Sequence, residues 1–249
     1  MRAAVAGYDI GLGYIFKCPL CGTILSCRSS ICPNCQTDID DYTVDAFGSD
    51  YPKVCLDFHG VAFDMLAALK VYLKATYDVD LDPDKVTDYD FRCDLGFDSQ
   101  LVFEAFNDPE LYALLEPYEG VKEAVKLLNF HCFVHAYTGV VNQPKIIART
   151  SAQIRQLGLM GDVMPYKKPT IYDANVLIDD SPAIHRQWWM SGFPGLQYII
   201  DRPYNQPTYQ DPAMWDSLIR VPSLYDAVLD MYKRFGWPVP EVRNYDESV

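Results

Sequence analysis

The sequence predicts an α/β fold, a parallel sheet covered by helices, with a small metal-binding module ahead of it. Three observations carry this prediction. From residue 51 onward, short apolar runs alternate with amphipathic helical stretches, the pattern of βαβ units. Polar residues, several of them Asp, stand directly after those runs. Within the first 37 residues lie two C-x2-C knuckles. The 249 residues divide into a cysteine module (1–37), an acidic linker (38–50) and a large domain (51–249).

The module has Cys18-Pro-Leu-Cys21-Gly and Cys32-Pro-Asn-Cys35, with ten residues between Cys21 and Cys32. Four thiolates so spaced can surround one Zn²⁺ tetrahedrally, and Gly22 permits the tight turn after the second ligand. Prolines stiffen both knuckles, and Thr23–Ile31 suits a short hairpin. Four thiolates close the coordination shell, so the zinc is expected to be structural and to supply the folding energy of a module too small for a core. Over about residues 14–37 the pattern resembles the zinc-ribbon, or rubredoxin-like, family. The segment after it, with Asp38, Asp40, Asp41, Asp45 and Asp50, reads as a linker.

In the large domain, Val54–Phe58 is a short buried-type strand. Leu66, Leu69 and Leu73 mark a helix over about Val61–Tyr77. Short helices are expected at Gln100–Phe106 and Pro109–Leu115, and an amphipathic one at Val121–Asn129. Phe130–Tyr137 reads as a strand ended by Thr138-Gly139, and Gln143–Leu157 as a helix closed by Gly158. Asn175–Ile178 is the next strand, ending at Asp179-Asp180-Ser181-Pro182; Ala183–Met190 is helical, Leu196–Ile200 is a strand, and Tyr225–Phe235 is a helix. In such sheets, residues just after the strands project into one crevice at the carboxyl edge, which would gather Asp57, Thr138, Asp179 and Asp180.

Charge narrows the chemistry. Lys+Arg total 21 against 34 Asp+Glu, a formal charge of −13, and 27 of the acids are Asp. A general nucleic-acid binder needs a basic surface, and anionic membranes repel an acidic one. No run approaches the ~18 apolar residues of a membrane span, and Asp9 interrupts the start of the chain, so a cytosolic setting is expected. Converging carboxylates repel unless a cation neutralises them, and oxygen donors of this kind suit Mg²⁺. Asp57, where a strand enters a glycine-bearing loop, could attack phosphorus to form an aspartyl-phosphate. Thr138 could donate to a phosphate oxygen, and Lys168, beside Lys167, could offset negative charge.

These residues, in this order across roughly 51–205, carry a resemblance to the haloacid dehalogenase (HAD) superfamily of phosphohydrolases. The motifs are Asp57-Phe58-His59-Gly60-Val61, then Thr138, Lys168, and Asp179-Asp180. The domain is most similar there to the 5′(3′)-deoxyribonucleotidases, with support from Val86-Thr87-Asp88-Tyr89-Asp90, Glu119-Gly120-Val121 and Asp201-Arg202-Pro203-Tyr204-Asn205. The resemblance implies a Rossmann-like core with a small helical cap after the first strand, about 65–118, covering a nucleoside. It implies Asp57 as nucleophile, Thr138 as phosphate donor and Lys168 as charge stabiliser, with Lys167 as the fallback. Mg²⁺ would be held by Asp57, the His59 backbone carbonyl, and Asp179 or Asp180. The substrate would be a small phosphate ester, a nucleoside monophosphate, in the cytoplasm of a bacterium or a phage-infected cell.

One position departs from the family, which has a second Asp two residues after the nucleophile as acid and base; here it is His59. Three outcomes stay open: an active enzyme with altered pH dependence, a slow one accumulating phospho-aspartate, or a fold that binds nucleotide without turnover while the ribbon docks a protein partner. Action on nucleic-acid ends is a weaker reading, opposed by the acidity. His131, His135 and His185 are read as structural or surface residues, Cys55 and Cys132 as core, and Trp188-Trp189 as packing. Tyr89, Phe91 and Phe97 would either stack on a base or pack the cap.

Overall fold

The structure is a computed structural model describing residues 8–9, 14–17, 24–25, 52–88, 97–138, 143–160, 162–164, 174–192, 195–207 and 212–239. The chain separates into two units, Met1–Tyr51 and Pro52–Val249. In the first, strands β1 (Tyr8–Asp9), β2 (Tyr14–Lys17) and β3 (Ile24–Leu25) form an antiparallel sheet in that order. β3 falls in the segment expected as a hairpin, and its partner is β2, with Lys17 opposite Ile24. Cys18, Cys21, Cys32, Cys35 and the 38–50 linker lie outside the described residues.

The second unit is built on a parallel six-stranded sheet. Its strands are β4 (Lys53–Asp57), β5 (Phe133–Tyr137), β6 (Asp162–Met164), β7 (Val176–Asp179), β8 (Leu196–Ile200) and β9 (Ile219–Val221). The order across the sheet is β6-β5-β4-β7-β8-β9. The chain builds outward in one direction from β4, then returns to start again at β7. The switch point therefore lies between β4 and β7, where open α/β sheets form a crevice at their carboxyl edge. β7 is buried along its whole length, as a strand covered on both faces must be.

Alternate residues of the central strands feed two layers. Val54, Leu56, Val134, Ala136, Val176 and Ile178 join one apolar cluster with helices α4 (Val121–His131) and α8 (Leu224–Phe235). Cys55, Tyr137 and Leu177 pack instead with Ile184 and Trp188 of α6 (Pro182–Met190). The helices follow their apolar spacing. Val121, Ala124, Val125 and Leu128 line the buried side of α4. In α8 they are Leu224, Ala227, Val228 and Met231, between an N-cap at Ser223 and a left-handed stop at Gly236.

Between β4 and α4 the chain makes an excursion of helices: α1 (Met65–Tyr77), α2 (Ser99–Phe106) and α3 (Pro109–Ala113). Its two connecting segments pair with each other. The Asp64 amide donates to the Glu116 carbonyl and the Tyr118 amide to the Ala62 carbonyl, both at 3.0 Å. α3 packs on α5 (Pro144–Gln156) of the sheet layer, with an Arg149–Glu110 ion pair of 2.8 Å and a 2.8 Å bond from Gln153 Nε2 to the Tyr112 carbonyl.

Several boundaries differ from the expected ones for local reasons. The helix expected from Val61 begins at Met65, because Asp64 caps it through a 2.9 Å bond from the Ala67 amide. The strand expected from Phe130 begins at Phe133, because α4 runs on to His131. β6, β9 and the six-residue α7 (Pro212–Ser217) had no sequence expectation; each is too short to show a period.

Candidate active site

Register brings the first acids together. Val54, Cys55 and Leu56 of β4 stand opposite Val176, Leu177 and Ile178 of β7. One step further along, Asp57 and Asp179 end their strands at the same level, with Asp180 directly after. Their side chains are almost fully buried, and one carboxylate oxygen from each lies within 4.8 Å of the others. Three such charges repel strongly when withdrawn from water. An all-oxygen donor set of this kind fits a hard divalent cation such as Mg²⁺.

Neighbouring groups fix each carboxylate. The Ser181 amide donates to Asp179 Oδ1 at 2.6 Å, and the Tyr137 hydroxyl reaches across β4 to donate to Asp179 Oδ2. Tyr204, in a short turn over Pro203–Asn205, donates its hydroxyl to Asp180 Oδ2 at 2.6 Å. Burial, with the adjacent carboxylates, holds both phenols well above the ordinary tyrosine range, so they remain donors. His185 is buried, and burial pushes its pKa down. Its Nε2 lies 3.2 Å from the Asp179 carbonyl and its Nδ1 3.2 Å from the Gln197 amide. Both partners are acceptor oxygens, the second being Gln197 Oε1, so the neutral ring donates to one of them according to its tautomer, beneath the acids.

Gly60 is required where the loop after β4 meets Asp180. Its φ is +86°, and a Cβ there would sit 2.0 Å from Asp180 Oδ2 and 2.7 Å from the Tyr204 hydroxyl. His59, half-buried, has Nδ1 3.3 Å from Thr138 Oγ1 and Nε2 3.4 Å from Thr150 Oγ1. The ring of Tyr112, from α3, meets it edge-on at 5.1 Å. Thr138 itself is fully buried at the end of β5.

The structure thus brings together Asp57, His59, Thr138, Asp179 and Asp180. Lys167 and Lys168 lie outside the described residues, as do Tyr89 and Phe91. Cys55 is core, with its thiol pushed up to about 12 by burial, and Cys132 is partly buried and pushed up likewise. Trp188 is buried, while Trp189 is exposed on the same helix. Thr150, Tyr112 and Tyr137 were not singled out from the sequence. Thr150 had a readable signal: with Ile146 and Ile154 it lies on the buried stripe of α5, a polar residue at an apolar position. Nothing comparable marks Tyr112, which reaches the site only through the packing of the excursion helices.

No family model and no curated protein sequence matches this chain. Solved structures do. Protein tyrosine kinase A from Mycobacterium tuberculosis aligns with 76% of this chain and 100% of its own at 10% identity and a TM-score of 0.54. A "predicted phosphatase" from Clostridium acetobutylicum covers 74% and 100% at 11% identity and a TM-score of 0.51. A haloacid dehalogenase-like family protein from Streptococcus pneumoniae covers 74% and 99% at 9% identity and 0.50. At these identities the likeness is one of fold: the larger unit shares the fold of the haloacid dehalogenase-like protein and carries the Asp57, Asp179 and Asp180 cluster. Among the described residues, no helix is long and apolar enough to cross a membrane.

Proposed function

We propose that this protein is a Mg²⁺-dependent phosphohydrolase of small phosphate esters, with a nucleoside monophosphate as substrate. The observation that carries this reading is the convergence of Asp57, Asp179 and Asp180 at the sheet's switch point. Asp57 attacks phosphorus, its oxygen forms the new P–O bond, and the ester P–O bond breaks as the leaving oxygen takes a proton. Water then attacks the phospho-aspartate, releasing phosphate and regenerating Asp57. Asp57, the His59 carbonyl, and Asp179 or Asp180 would hold Mg²⁺, which when bound neutralises phosphate charge and orients the phosphoryl group. Thr138 would donate to a phosphate oxygen, Lys168 would balance charge, and His59 would move the protons. The helical excursion over 65–118 would cover the nucleoside, and the α3–α5 contacts, which bring Tyr112 against His59, support that role. Zn²⁺ held by Cys18, Cys21, Cys32 and Cys35 would fold the N-terminal module.

The test is phosphate release from a panel of deoxy- and ribonucleoside monophosphates with Mg²⁺, run from acid to alkaline pH. Parent release above an Asp57→Asn control is expected; release equal to that control at every pH removes the hydrolase reading. A second reading is nucleotide binding without turnover, with a ribbon that docks a partner; one observation favours its first half, the loss of turnover. Both His59 ring nitrogens face threonine hydroxyls of the protein itself, which compete with a leaving group for its proton. Activity gained in His59→Asp and absent from the parent would support it.

A further inference from the structure

The turn after β8 touches the acid site at several successive points. Arg202 Nε donates to the Gly60 carbonyl at 2.7 Å. Tyr204 donates to Asp180 Oδ2 at 2.6 Å, and Asn205 Nδ2 to the Asp180 carbonyl at 2.8 Å and the Ile200 carbonyl at 2.7 Å. The strap therefore holds the loop after β4 and the loop after β7 against each other. Gly60 provides the room: its missing Cβ is the space that Asp180 Oδ2 and the Tyr204 hydroxyl occupy. Arg202 also lies 4.1 Å over the Tyr118 ring, where the helical excursion rejoins the sheet layer.

We infer that Tyr204 is a positioning residue that aims the Asp180 carboxylate at a divalent cation, with Arg202 and Asn205 fixing the strap that carries it. The inference rests on the Mg²⁺ reading of the site. A carboxylate free to turn beside two neighbours of like charge, Asp57 and Asp179, would swing away from them; a buried donor on one of its oxygens fixes its plane toward the cluster. Partners of this kind are typically worth about 10–100-fold in metal affinity.

The experiment titrates the full chain with Mn²⁺ and follows free Mn²⁺ by electron paramagnetic resonance, independent of any turnover. Tyr204→Phe removes only the hydroxyl. Tyr198→Phe is the control, because Tyr198 makes an equivalent 2.9 Å bond to Asp230 away from the acid cluster. Expected are a Kd raised about tenfold or more in Tyr204→Phe and one within twofold of the parent in Tyr198→Phe. Metal-free melting checks that each variant folds. Should Tyr204→Phe not fold, Arg202→Lys, which loosens the strap from Gly60 while keeping the phenol, takes its place and is expected to weaken Mn²⁺ in the same direction. Tyr204→Phe within twofold of the parent, or an equal loss in Tyr198→Phe, overturns the positioning role while leaving the cation site standing. A parent that binds no Mn²⁺ overturns the cation reading, and this inference with it.

Discussion

Gly60 shows how much of the site depends on a single absent atom. A side chain at φ +86° is strained, and here its Cβ would also collide with Asp180 Oδ2 at 2.0 Å. The strain and the displacement of a buried carboxylate together predict that Gly60→Ala costs about 2–4 kcal/mol, read as a lowered urea midpoint at unchanged slope. His59 is the opposite case, a residue whose surroundings say more than its identity. The sequence marks it as a departure from the resembled family, and the structure seats its ring between Thr138, Thr150 and Tyr112. Thr138 was legible because it follows an apolar run; Tyr112 was not, because nothing local to its helix records what that helix covers.

At the scale of elements, most helices were legible because an apolar stripe and a cap are local properties. Asp108 illustrates a cap with a second duty. Its Oδ1 accepts from the Glu110 amide at 2.9 Å to start α3, and its Oδ2 accepts from the Tyr72 hydroxyl of α1 at 2.6 Å. The Tyr72 bond first, then the backbone bond, hold this carboxyl below the ordinary range, while burial and the Asp108 bond push Tyr72 up to about 12. A depressed folded pKa gives stability that is present above the unfolded value, about 4, and is lost as pH falls through the folded value. The urea midpoints of parent and Asp108→Asn should therefore keep a constant separation above about pH 5 and converge as pH drops below about 4. A separation independent of pH down to acid would mean that the carboxylate charge contributes nothing. The three-residue strands β6 and β9 escaped the sequence because pairing with a neighbour, rather than any period of their own, defines them.

For the whole molecule, the −13 charge becomes a statement about metals. Three buried carboxylates at one sheet edge should be relieved by a cation that binds only the folded state. Mg²⁺ at about 100 times its Kd is expected to stabilise the parent by about 2.7 kcal/mol, seen as a raised melting temperature, and to leave Asp180→Asn nearly unmoved. Equal melting shifts in both would place the effect elsewhere. The N-terminal module carries a separate expectation: metal analysis should find one zinc per chain, lost when Cys18 or Cys35 is replaced by Ser. Full-length protein that is free of zinc, with all four thiols reactive, would remove that site.

The sequence by itself determined the alternation of strands and helices, the strand-end acids and the two cysteine knuckles, since each is written in spacing over a few residues. Register and crossover were decided only in three dimensions. Asp57 and Asp179 are 122 positions apart, and they stand side by side because β7 pairs with β4 across the switch point. The same holds for the phenols of Tyr137 and Tyr204, whose bonds to Asp179 and Asp180 span the sheet and the strap. Hydrogen bonds between distant segments leave no periodic trace in the chain, because they are set by where the strands stop rather than by what lies next to them.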